Sequence, residues 1–225
     1  MPISPSPHDG HFQGLAERPN AAFLGADALL SGSIRCPASD WQSMERQFEI
    51  ACRHGAMVER VAACHGMLPS IIAGFCSRRS GWGLDLLPAG IDGTRDIQAR
   101  DVISEDRAAP LPPDGLGFER GLMGIDFDRH PLARQGGWRD PERNIEAAFA
   151  LIACYRTLLR RRTTLQGTGL LRASLTAFEC GIECVERAIR NGLDVDSPTT
   201  GWSPGSSGCG DDVLARASFQ AAGWD

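Results

Sequence analysis

The sequence contains no lysine; all 23 of its basic residues are arginine. Lysine general bases and Schiff-base chemistry are thereby excluded. No apolar run approaches the roughly 18 residues that a membrane helix requires. The opening MPISPSPHDGHFQG has neither a basic n-region nor an apolar h-region. The expected location is therefore the cytoplasm, or the exterior by a signal-independent route. A net charge of −5 supplies no global attraction to nucleic acid or to anionic wall polymers, so nucleic acid is not an expected partner, and no membrane span is expected.

What is present suits one globular body. At 225 residues the chain is long enough for one well-buried core and short for two. Eight cysteines would suggest a disulfide framework in a secreted protein. Six of them (Cys52, Cys64, Cys76, Cys154, Cys180 and Cys184) fall on or beside apolar helical faces, where a thiol behaves as a small hydrophobe. Cys36 and Cys209 lie in loop-like contexts where a bridge could close. Cys180 and Cys184 share a helical face at i,i+4, but no second ligand pair accompanies them. No metal site and no cofactor are expected.

Residues 1–35 are rich in Pro, Gly, Ser and Ala and read as a loosely ordered arm. Helical periodicity begins at Ser39, where Ser-Asp-Trp-Gln forms a capping box, and Gly55 reads as the stop. A second helix ends near Gly66. Pro69 opens a third at its first position, where a missing N–H costs nothing. Residues 81–120 read as a long loop region, followed by GLMGID as a short β-like segment. Asp140-Pro141-Glu142 starts the longest helix, closed by Arg160, Arg161 and Arg162, which suit the dipole at a helix C-terminus. Further helices are expected over about 170–178, 182–190 and 211–223.

Three blocks carry the chemistry: IAGFCSRRS at Ile72–Ser80, GLMGID at Gly121–Asp126 and TAFECG at Thr176–Gly181. Together they resemble the signature of goose-type lysozymes and the related SLT-like lytic transglycosylases. The resemblance runs from about residue 36 to 224, with DWQSMERQFEIA, GGWRDPERNIEAA and DDVLARASF matching in order. It implies a lysozyme-like domain over 36–225, mainly α (α+β) with a small β/loop lobe. It further implies a bacterial glycosidase acting on peptidoglycan.

The departures fall on the chemistry. Where that family places its catalytic Glu, this chain has Arg79, which cannot exchange a proton under ordinary conditions. Glycoside cleavage needs a carboxylic acid held in an apolar setting so that its pKa rises. The family's cleft-lining Gln is Gly124 here, its Tyr is Phe178 and its Asn is Glu179. Asp126 matches a carboxylate implicated in positioning water, and Asp114 falls near a second.

The expected function is therefore that of a degenerate, pseudoenzyme-type protein binding peptidoglycan or a chito-oligosaccharide, or else a protein partner, in the remodelled cleft. Trp82 and Trp138 are candidates for stacking on sugar, and His130 for lining the cleft. Two alternatives stand beside this: an active hydrolase that has recruited Glu179 or Glu119, and an interaction module that no longer touches sugar. If the blocks converge, Arg79 and Glu179 would face one another as an ion pair.

Overall fold

A computed structural model describes residues 41–84, 119–126, 137–199 and 208–221. Within them the chain forms seven α-helices: α1 (Trp41–Arg53), α2 (Gly55–His65), α3 (Pro69–Ser80), α4 (Pro141–Arg162), α5 (Gly167–Cys180), α6 (Ile182–Arg190) and α7 (Cys209–Ala221). Short 3-10 turns at Gly81–Gly83 and Gly137–Arg139 follow α3 and precede α4.

The helix boundaries follow local chemistry. Pro69 sits in the first turn of α3. The carboxylate of Asp140 accepts from the amides of Glu142 and Arg143 and so caps α4. Gly66 adopts φ 57° to end α2, a left-handed conformation that costs a glycine little. Gly55 does not stop a helix; it is the first residue of α2, and the break falls at His54. The proposed Ser39 capping box and the 1–35 arm lie outside the described residues.

Helix α3 is the axis of the fold. It is buried from Ser70 to Ser77 and again at Ser80, and such a helix needs neighbours on every side. Phe75 packs edge-on against Phe149 of α4 and Phe178 of α5. On the opposite side α3 presses against α7 at Gly74, where an added Cβ would lie 2.7 Å from both the Ala217 amide and the Val213 carbonyl oxygen. Only glycine lets the two backbones approach so closely. A second apolar cluster joins Leu159 of α4 to Leu170, Ala173 and Ala177 of α5 and to Ile182 and Val185 of α6.

The expected α+β class with a β lobe is corrected: the described body is helical. Its strand pairing is one antiparallel ladder of two residues per strand, Glu119–Arg120 (β1) with Ile125–Asp126 (β2). A lobe needs three or more strands, or a packed apolar sheet face, to stand by itself. Here Leu122, Met123 and Ile125 are buried in the helical core instead. Gly121 and Gly124 turn the chain at φ 72° and 57°. GLMGID is a tight turn clamped by Asn144 of α4, whose Oδ1 accepts from the Met123 amide at 2.8 Å.

Candidate functional site

The three sequence blocks converge at the C-terminal end of α3. Arg79 donates from Nη1 to Glu179 Oε2 at 2.6 Å, from Nε to the Met123 carbonyl at 3.2 Å and from Nη2 to the Gly124 carbonyl at 3.4 Å. Its guanidinium also lies 5.9 Å from the centroid of the Phe178 ring, within cation–π range. The Arg79 and Glu179 side chains are only 9% and 6% exposed. The charge pair is therefore a plug inside the structure, with its arginine tied to α5 and to the Met123–Gly124 turn.

A second layer surrounds it. Arg78 Nη1 donates to Asp212 Oδ2 at 2.7 Å, and Arg216, one turn further along α7, donates to the same oxygen at 3.2 Å. Arg216 Nη1 also donates to Ser77 Oγ at 3.0 Å; Ser77 in turn donates to Gln47 Oε1, and Gln47 Nε2 to Ser43 Oγ at 2.9 Å. The network thus ties α3 to α1, α5 and α7. Arg78 Nε is buried without a hydrogen bond, and Glu179 Oε1 stands 3.8 Å away. The Cys209 thiol lies 3.8 Å from the same oxygen. Burial first, and then that carboxylate, push this thiol well above its usual range. It is no nucleophile at neutral pH.

Asp196 organises a separate hub. Buried itself, it accepts from the Gly210 and Asp211 amides at 2.9 Å each, from Thr176, and from Arg172 Nη2 at 3.0 Å. It caps α7 from 14 and 15 residues away in sequence, and α7 starts at Cys209, two residues before the sequence-based boundary. Thr199 Oγ1 accepts from the Cys209 amide at 2.9 Å and completes the cap. A Cβ on Gly208 would lie 2.1 Å from Asp196 Cβ, and one on Gly210 would meet Arg172 at 2.8 Å.

The two tryptophans read as stacking candidates are core residues. Trp82 is completely buried, and its indole donates to the Ala73 carbonyl at 3.2 Å. It holds φ 55°, a conformation that costs a bulky side chain on the order of 1–3 kcal/mol. Burial, the indole bond and a parallel His54 ring at 6.3 Å retain it there. Trp138 is buried too, with the Arg139 guanidinium 4.9 Å from its ring centroid. Neither ring offers a face to a ligand. Phe178 packs on Phe75 with centroids 5.4 Å apart. Asp126 enters through its backbone pairing with Glu119; the side chains of both, with Asp114 and His130, lie outside the described residues.

No protein-family model matches the chain, and no curated protein matches its sequence. The goose-type lysozyme and SLT-like resemblance is corrected accordingly. So are the function and the glycosidase, pseudoenzyme and peptidoglycan terms drawn from it. The blocks that carried it are short, the β lobe it requires is a two-residue ladder, and the position of its acid holds an arginine bonded on three sides. Glu179, the suspected replacement acid, is the anion of that arginine.

Sequence reasoning missed Arg78, Asp212, Arg216, Ser77, Gln47 and the whole Asp196 hub. The Arg78-Arg79 and Asp211-Asp212 doublets, with Arg216 one turn after Asp212, were the available signal. Among the described residues no cluster of three or more His, Cys, Asp or Glu is placed to hold a metal, and no helix is long and apolar enough to cross a membrane.

Proposed function

We propose that this protein is a non-catalytic helical docking domain that engages a protein partner. The observation that carries the reading is the closed state of the junction at the end of α3. Its acids, Glu179 and Asp212, are each bound to arginine, and Arg79 is spread over Glu179 and two carbonyl groups. Groups so engaged hold elements together; a general acid or base must instead be able to give up and reclaim a proton at a substrate. An oligosaccharide partner has less support, because the rings of Trp82 and Trp138 are spent on packing. The remaining surface of a rigid, multiply pinned body is suited to recognition by shape and charge.

The test begins with photo-crosslinking in extract of the source organism and mass-spectrometric identification of the adduct. Calorimetry with the purified partner follows. The Arg79→Met/Glu179→Met double variant, which keeps the volume of the junction, should bind that partner within about twofold of the native chain, because a site that only holds the fold lies outside the interface. Loss of binding by a double variant that still melts cooperatively would place function in the junction itself and overturn the reading.

A further inference from the structure

Cys180 and Cys184 read in the sequence as neighbours on one helical face, but the structure sets them on two helices. Cys180 is the last residue of α5, and Cys184 lies in the first turn of α6. Gly181 breaks the chain between them at φ 86° and ψ 153°, a backbone conformation that is costly for any residue with a side chain. Across that break the two thiols are hydrogen-bond partners. Both are free and half-buried. Cys180 Sγ also donates to the Thr176 carbonyl at 3.4 Å and to the Gly181 carbonyl at 3.7 Å.

Packing explains one of these sulfurs. Cys180 lies against the cluster of Leu159, Leu170, Ile182 and Val185, where a thiol serves as a small hydrophobe. Packing does not require a second thiol beside the first. Hydrogen-bonded sulfurs have only a short way to travel to the roughly 2 Å of a disulfide bond. The pair is also asymmetric. Burial first, and then Cys184, push the Cys180 thiol up to about 12, with Glu179 adding to the effect. Cys180 thus keeps its proton at neutral pH, and attack on an oxidant falls to Cys184.

We propose that Cys180 and Cys184 form a redox-active dithiol, which low-molecular-weight disulfides oxidise to an intramolecular bridge. The Cys184 sulfur, as thiolate, attacks one sulfur of the oxidant. The oxidant's S–S bond breaks, and one half leaves as a thiolate that takes up the proton Cys184 gave to solvent. The Cys180 sulfur then attacks the Cys184 sulfur of the mixed disulfide. The second half departs and takes up the Cys180 proton. Two protein thiols lose two electrons, and one small disulfide becomes two thiols. The bridge joins the end of α5 to the start of α6 beside Glu179, the anion of Arg79. It needs no docking partner to form.

Glutathione supplies the test. Trypsin cuts after Arg172 and Arg187 and so releases both cysteines, with no third, on the one peptide 173–187. The full chain is equilibrated in buffers of rising oxidised-glutathione content, acid-quenched, alkylated, digested and weighed by mass spectrometry. Peptide 173–187 should escape alkylation and come out lighter than its dithiol form by two hydrogen atoms. Because the fold holds the thiols together, half-oxidation of the native chain should need about tenfold less oxidising buffer than the synthetic 173–187 peptide, a potential about 30 mV more negative. Cys180→Ser should trap one glutathione on Cys184, whereas Cys184→Ser should leave Cys180 unmodified over the same time. Glutathione on both cysteines of the native chain, a native midpoint no more negative than that of the free peptide, or faster capture by Cys180 than by Cys184 would each overturn the proposal.

Discussion

Arg79 Nη1 lies 2.6 Å from Glu179 Oε2 although one hundred positions separate the two residues. The pair joins the end of α3 to the end of α5, and the same guanidinium holds the Met123–Gly124 turn. Burying two charges costs desolvation that their attraction only partly returns, so the pair specifies geometry more than it stabilises. Removing one member is a different matter. Arg79→Met leaves Glu179 with Arg78 Nε and the Cys209 thiol, each 3.8 Å away. We expect Arg79→Met to lower unfolding free energy by about 3–5 kcal/mol and Arg79→Met/Glu179→Met to recover most of it. Urea unfolding of the three proteins checks this; equal loss in single and double variants would show that the pair itself is strongly stabilising.

The α3–α7 crossing depends on Gly74. A methyl group there meets the Ala217 amide and the Val213 carbonyl at 2.7 Å, both backbone atoms that no rotamer change can move aside. Gly74→Ala should cost about 1–3 kcal/mol despite the better helix propensity of alanine, and Gly74→Val more. A thermal melt showing Gly74→Ala as stable as the native chain would mean the helices separate at little cost.

Asp196→Ala should loosen α7 from its first turn. The Gly210 and Asp211 amides and the buried Thr176 hydroxyl lose their acceptor, while Arg172 keeps Asp194 and Asp211. Loss of a helix cap typically costs about 0.5–2 kcal/mol, and the buried Thr176 hydroxyl left without its acceptor raises that figure. Hydrogen exchange should accelerate at residues 209–212 while α4 keeps its protection. Uniform acceleration would instead mean that the hub supports the entire core.

His65 predicts a pH dependence. Burial, opposed by Glu146 and assisted by Arg156, lowers its pKa from the usual 6.5, and its Nε2 is buried without a partner. The folded state thus favours neutral imidazole. Its contribution is present above about pH 6.5 and is lost as pH falls through the lowered folded value. Native stability should decline across that acid window, and His65→Gln should flatten the decline. An identical pH profile for the variant would assign the slope to other groups.

Thiol labelling should sort by burial. Cys52 and Cys64 are exposed, whereas Cys76 and Cys209 are fully buried, and burial pushes both buried thiols up. With a chromogenic disulfide reagent at neutral pH, Cys64 and Cys52 should react in the native state. Cys76 and Cys209 should react only after denaturation. Fast native labelling of Cys209 would show that the 208–221 segment opens readily.

Helix positions were legible in the sequence because their causes are local. Pro69, Asp140 and Gly66 act on the turn in which they stand, and an apolar stripe recurring every three or four residues declares a helix whatever it later packs against. The meeting of Arg79 with Glu179 could be framed from the order of three blocks. Its chemistry could not, because GLMGID reads alike as a strand or as a turn pinned by Asn144. Tertiary contacts decided the rest. They buried Trp82 and Trp138, moved the start of α7 to Cys209 through Asp196, and shared Asp212 between Arg78 and Arg216. The Asp196 cap and the Arg78–Asp212 pair join groups far apart in sequence, which leave no periodic signal.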